Sequence, residues 1–146
     1  MSDKLNEITD LFQSVEPDMR LELLLDYANR LPPLPERLLA EADSDAHRVH
    51  ECQTPLFLWV EPSAQGDDRV DIHIQVAEEA PTVKGIASIL VEAYSGQPAA
   101  EVTEIPSDLL NRLGLGEAIR MTRIVGLSAL LARIRREAAA ATTTEP

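Results

Sequence analysis

Aromatic residues are scarce in this chain: two Phe, two Tyr and one Trp among 146 residues. A core built on stacked rings is excluded, and the apolar weight falls on Leu, Ile, Val and Ala. Trp59 stands out as a local anchor. Cysteine is scarcer still. A lone Cys52 rules out an internal disulfide, and the opening "MSDKLNEITDLFQ" lacks the long apolar core of a signal peptide, so the expected setting is a reducing cytoplasm. No apolar run approaches the roughly eighteen residues of a membrane span, so a soluble protein with no membrane partner is expected. Basic residues are also few: 13 Lys and Arg against 25 Asp and Glu leave a net charge of −12, a field that disfavours nucleic acid and anionic lipid surfaces. Solubility is the simplest role for that charge.

What is present reads as one domain. A chain of 146 residues is long enough to bury about 70% of the surface it exposes when unfolded, and no repeat or shift in composition divides it. The domain is expected over residues 1–140, with 141–146 as a frayed tail. "SDKLNEITDLFQSV" places Leu5, Ile8, Leu11, Phe12 and Val15 at helical spacing, with Ser2 or Asp3 as N-cap. Met19 to Leu31 repeats the pattern until Pro32 and Pro33 stop it, so a helical hairpin opens the fold. "PPLPERLLAEADSDAHR" reads as an irregular crossing with one helical turn. "LFLWVE", a turn-like "PSAQGDD" and a strictly alternating "RVDIHIQV" form a β-hairpin with one buried face, and "RVHE" is a candidate third strand.

A second helical run follows. Pro81 suits the first helical position, Glu78 and Glu79 suit the positive end, and Val83, Ile86, Ile89, Leu90 and Ala93 form its stripe. Short helices broken at Pro106, Gly114 and Gly116 come next, with Ser107 as N-cap of "DLLNRL". A last helix carries Ile124, Leu127, Leu130, Leu131 and Ile134. The expected class is α+β: an N-terminal helical hairpin, a small antiparallel sheet of about three strands, and C-terminal helices packed on one face.

Cys52 sits where "HRVHECQT" turns from polar to apolar, and three readings of it stand. His47, His50 and Cys52 are all zinc-ligand types, but zinc uses four ligands, or three and water. In an extended "RVHEC", His50 and Cys52 share a face and His47 falls on the other, so a further ligand has to come from afar. A thiol hydrolase needs a base such as His50 or His73, and no local signature of such enzymes is present. His73 alternates with Ile72 and Ile74, beside Asp71 and Gln75, as a solvated strand histidine does. An inert buried cysteine packs as a small hydrophobe, yet "HECQTP" has the character of a loop. A cysteine on a loop beside an apolar strand is both reachable and shielded, which suits a thiol that carries sulfur.

"RVHECQT" ahead of an aromatic-bearing strand, then "TVKGIASILVEAY", then "TRIVGLSALLARIRREA", resembles the SufE family, the sulfur acceptors of SUF iron–sulfur cluster assembly. The resemblance runs from the opening helices through Arg136, with three separated segments in the family's order. The family pattern is a small residue, Cys, a polar residue, Ser, then an aromatic on the next strand. Glu51, Cys52, Gln53, Thr54 and Phe57 occupy those places. Thr54 keeps the hydroxyl of Ser, whereas Glu51 replaces the usual Gly and sets a negative charge beside the sulfur, which raises a thiol pKa.

The family's arginine before the last helix matches Arg123, which the resemblance implies faces Cys52 and stabilises its thiolate or the outer sulfur of its persulfide. Val83, Lys84 and Gly85 match a "VKG" piece, with Gly85 suited to close packing. Lys84 and His50 are lesser site candidates. The implied function is a persulfide carrier. Cys52 takes sulfur from a pyridoxal-phosphate-dependent cysteine desulfurase (SufS-like), stimulates that enzyme, and hands the sulfur to a cluster scaffold (SufB-like), with no metal or organic cofactor of its own. The absence of a glycine-rich phosphate loop is consistent with that division of labour. The alternative is a non-catalytic interaction module whose cysteine is structural.

Overall fold

The computed structural model describes residues 3–41, 45–52, 54–116 and 121–142, with the side chains of residues 121–123 and 142 left aside. Ser2, offered above as an N-cap, lies outside the described residues. Helix α1 (Asp3–Ser14) buries Leu5, Ile8 and Phe12, while Leu11 faces outward. After a 3-10 turn at Pro17–Met19, α2 (Arg20–Ala28) buries Leu24, Tyr27 and Ala28. It ends three residues before Leu31, because Asn29 and Arg30 already turn back onto the Asp26 and Tyr27 carbonyls. Phe12 and Tyr27 bring the two helices together with ring centroids 5.8 Å apart, and Arg20 Nε donates to the Phe12 carbonyl at 2.9 Å.

The proline-rich crossing contains α3 (Glu36–Leu39) and a 3-10 turn at Asp45–His47. Strands β1 (Leu56–Pro62) and β2 (Arg69–Val76) pair antiparallel from Leu56 opposite Val76 to Pro62 opposite Val70. Gly66, Asp67 and Asp68 take left-handed φ in the turn between them, which explains a loop made of "QGDD". One sheet face holds Leu56, Leu58, Ile72, Ile74 and Val76, all buried in the main core. α4 (Pro81–Tyr94) packs on β2, and the long C-terminal α7 (Met121–Thr142) packs on β1.

The short elements β3 (Gln97–Pro98), α5 (Ala99–Val102) and α6 (Leu109–Arg112) link α4 to α7. The class, α+β with helices before and after a three-stranded antiparallel sheet in the order β1-β2-β3, is the one expected. Gly85 is where α2 crosses α4: a Cβ there would lie 2.5 Å from the Leu24 carbonyl oxygen. Only a residue without a side chain permits that approach.

Several local expectations change. The third strand is Gln97–Pro98 beside β2, whereas "RVHE" contributes a single bridge between Arg48 and Phe57 on the far edge of β1. The second sheet face is not bare: Phe57 and Trp59 form a small cluster with Leu38 and Leu34 from the crossing, and Arg37 pairs with Glu61 at its rim. His73 is therefore half-buried, 3.7 Å from Glu61, and not a freely solvated strand histidine. Ser107 does not cap α6; Asp108 holds that position and directs its carboxylate to Arg112 at 2.7 Å. Finally, α7 continues through Ala138 to Thr142, because alanine favours helix and Ala138 is fully buried.

Candidate functional site

The segment bearing Cys52 is a finger closed at its base. Val49 N donates to the Leu56 carbonyl at 2.9 Å, and directly beneath, Arg48 bridges to Phe57. Within the finger Cys52 N donates to the Val49 carbonyl at 3.1 Å, so residues 49–52 form a turn and not the extended strand that would alternate His50 with Cys52. The base is also held from α7. Arg133 donates through Nη1 to the Arg48 carbonyl and through Nη2 to the Ala46 carbonyl at 2.7 Å, while its Nε is held by Glu137 at 2.6 Å.

At the tip, the sulfur lies inward. Cys52 is 6% exposed and joins the main core beside fully buried Val49. It rests on the backbone of α7 at Gly126, where an added Cβ would stand 2.9 Å from Sγ, 3.1 Å from the Cys52 Cα and 3.4 Å from the Glu51 carbonyl oxygen. Burial pushes the thiol up to about 11, with the negative charge of Glu51 acting in the same direction. Relative to an unperturbed thiol near 9.0, that leaves about 100-fold less thiolate at neutral pH. The resting sulfur is thus both covered and protonated.

The other site candidates separate around it. Glu51 is exposed, Thr54 is half-buried, and Gln53 lies outside the described residues. His50 is exposed, with Nε2 3.4 Å from Asp45. His47 stacks on Trp59 with centroids 4.9 Å apart, and its Nδ1 lies 3.1 Å from the Leu58 carbonyl. His47, His50 and Cys52 do not converge on one point, and among the described residues no group of three or more His, Cys, Asp and Glu is arranged to hold a metal ion. Lys84, on α4, is held by Glu78 at 2.6 Å. The Arg123 side chain lies outside the described residues, but its backbone is in α7, one helical turn before Gly126 and on the same helix face.

Sequence reasoning does not single out two residues of this site. Gly126 carries a signal, a glycine inside a strongly periodic helix, which costs about 1 kcal/mol relative to alanine and implies a compensating reason. Arg133 carries none, since "RIRR" contains three arginines that look alike until the fold shows which one meets a carbonyl.

Comparison with known proteins supplies the chemistry's context. A family model described as "SufE: Fe-S metabolism associated domain" matches residues 6–138. An uncharacterized SufE-like protein of Mycobacterium tuberculosis is 44% identical over 132 residues, covering 90% of this chain and 89% of that one. The sulfur acceptor protein CsdE of Escherichia coli (strain K12) is 29% identical over 108 residues, covering 73% and 68%. Among solved structures, the solution structure of a hypothetical protein from Thermus thermophilus superposes with a TM-score of 0.82 at 33% identity, covering 99% of each chain. With the matched residues running from the first helix to the end of the core, the chain belongs to the SufE family.

Proposed function

We propose that this chain is a sulfur acceptor: Cys52 takes persulfide sulfur from a cysteine desulfurase and relays it to an iron–sulfur cluster scaffold. The observation that carries this reading is the seat of Cys52, on a closed finger yet turned inward, in a chain of the SufE family. Burial alone suits a structural residue; a loop alone suits a reactive one. A carrier needs both, an accessible state in which to load and a covered state in which small reductants do not reach the sulfur.

The step is a thiol–persulfide exchange. The Cys52 thiolate attacks the outer sulfur of the persulfide on the desulfurase cysteine; a new S–S bond forms on Cys52 and the old one breaks. The desulfurase cysteine leaves as a thiolate, so no oxidant or reductant is consumed. Removing the sulfur frees that cysteine for another round, which is how acceptance stimulates the desulfurase. The desulfurase's pyridoxal phosphate performs the C–S cleavage, and this chain supplies only a thiol.

Loading requires the tip to leave α7, because a protonated sulfur at 6% exposure reaches no second protein. The outward state releases Cys52 from burial, the first cause of its raised pKa, and leaves Glu51 opposing the thiolate. Arg123, one turn up the same face of α7, is the residue proposed to offset that charge and hold the thiolate or the outer sulfur. Glu51, Gln53 and Thr54 are the sequence neighbours proposed to support Cys52. His50 and Lys84 are assigned no part.

Turnover of L-cysteine by a desulfurase tests this directly. Added chain should raise it severalfold, Cys52→Ser should abolish the increase, and Arg123→Ala should cut it about tenfold, as expected for one charge-assisted contact. A stimulation that survives Cys52→Ser overturns the reading.

The second reading, a structural cysteine in an interaction module, draws on the place of Cys52 in the main core. It requires that Cys52→Ser chiefly lowers stability and leaves stimulation intact.

A further inference from the structure

Gly126 lies within the segment "TRIVGLSALLARIRREA" but is given no role by it, yet its Cα is the surface on which the sulfur rests. α7 runs as an uninterrupted helix from Met121 to Thr142 with buried Leu127, Leu130, Leu131 and Ile134 beyond the glycine, so Gly126 neither ends nor caps it. The neighbour Val125 is 56% exposed, and nothing in its packing requires a glycine next door. What does require it is the finger: a Cβ at this place would press on Sγ at 2.9 Å and on the Cys52 backbone at 3.1 Å. Contacts that short force something to move, and the α7 side is fixed by its buried row of leucines. The finger is the part free to yield, since its tip is a turn while its base is tied to β1 and to Arg133.

We propose that Gly126 is a positioning residue that sets the resting state of the carrier: its missing side chain is the seat of the Cys52 sulfur, and filling that seat turns the finger outward while its base stays in place. This rests on the carrier reading only for its consequence, that the seat decides how long the loaded or free sulfur stays covered. Glycine at this position trades helix stability for shelter. At the seat stand the sulfur and the Glu51 carbonyl oxygen, with the exposed Glu51 carboxylate acting on the thiol by its charge; on α7 the charged residues in register with Gly126 are Arg123 one turn before it and Arg133 and Glu137 further along.

The test compares the wild-type chain with Gly126→Ala by the rate of Cys52 alkylation with iodoacetamide across pH. The wild type should react slowly, with a midpoint near the buried value of about 11. Gly126→Ala should react at least about tenfold faster at pH 7.5, with its midpoint lowered by a unit or more, because a turned-out thiol regains solvent. Circular dichroism and a cooperative melt establish that the variant is folded, and a folded variant with an unchanged pH profile overturns the proposal. Should Gly126→Ala not fold, Gly126→Ala combined with Cys52→Ala decides: recovered folding assigns the clash to the sulfur, and continued unfolding overturns it. The readout needs no desulfurase, so a shifted alkylation profile with no sulfur transfer by either chain contradicts the carrier reading and leaves the seat standing.

Discussion

At the scale of single residues, the chemistry turns on how one thiol is kept from reacting. Cys52 carries a folded pKa of about 11 against 9.0 for the unperturbed group, with burial as the larger cause and Glu51 as the smaller. A group whose folded pKa is raised contributes stability that is full below the unfolded value and lost as pH rises through the folded one. Stability should therefore fall between about pH 9 and pH 11, by on the order of 2 kcal/mol, and Cys52→Ala should flatten that decline in urea titrations taken across the window. Glu51 makes a separate prediction. Glu51→Gln removes the second cause only, so the thiol midpoint should drop by a fraction of a unit and remain far above an ordinary thiol. Glu51 is visible in the sequence as a charge beside the sulfur, but the dominance of burial is not, because nothing in "HECQTP" shows that the turn at Val49 folds the sulfur under α7.

At the scale of elements, the finger has a base tied to β1 and α7 and a tip that is the part proposed to move. Arg133 ties its base to α7 through two carbonyls, Arg48 and Ala46. Arg133→Ala should cost about 1–3 kcal/mol, since it leaves those carbonyls without their charged donor, and hydrogen exchange should quicken at Val49 and Cys52 before it quickens elsewhere in β1. A comparable cost is expected at Gly85→Ala, where the new methyl meets the Leu24 carbonyl oxygen as well as the fully buried Leu24 side chain, and a lowered melting temperature with unchanged thiol reactivity is the outcome that marks it as packing alone.

These elements differ in how far the sequence discloses them. The hairpin and the helices α1, α4 and α7 follow from period and punctuation, which are local properties. The pairing of Gln97–Pro98 with β2 and the covering of Phe57 and Trp59 by Leu34 and Leu38 depend on where a proline-rich crossing and a short linker land. No periodicity records that. The end of α7 is illegible for a related reason: a run of alanines is helical once Ala138 has a core to meet, and a frayed tail when it has none.

At the scale of the molecule, one aliphatic core runs from Leu5 of α1 to Ala138 of α7 and includes the sulfur at its edge. That arrangement couples Cys52 to the stability of the whole chain. None of the helices described is long and apolar enough to cross a membrane. In the proposed function, the net charge of −12 would act on association with a desulfurase as a salt-dependent effect on rate more than on the chemistry of the transfer. The central claim is that Cys52 itself holds the sulfur, and intact-protein mass after incubation with a desulfurase and L-cysteine tests it most directly. A carrier gains about 32 Da on the wild-type chain, reversed by a thiol reductant, and nothing on Cys52→Ser. A wild-type chain that gains no mass while the desulfurase turns over, or a Cys52→Ser chain that gains as much, contradicts it.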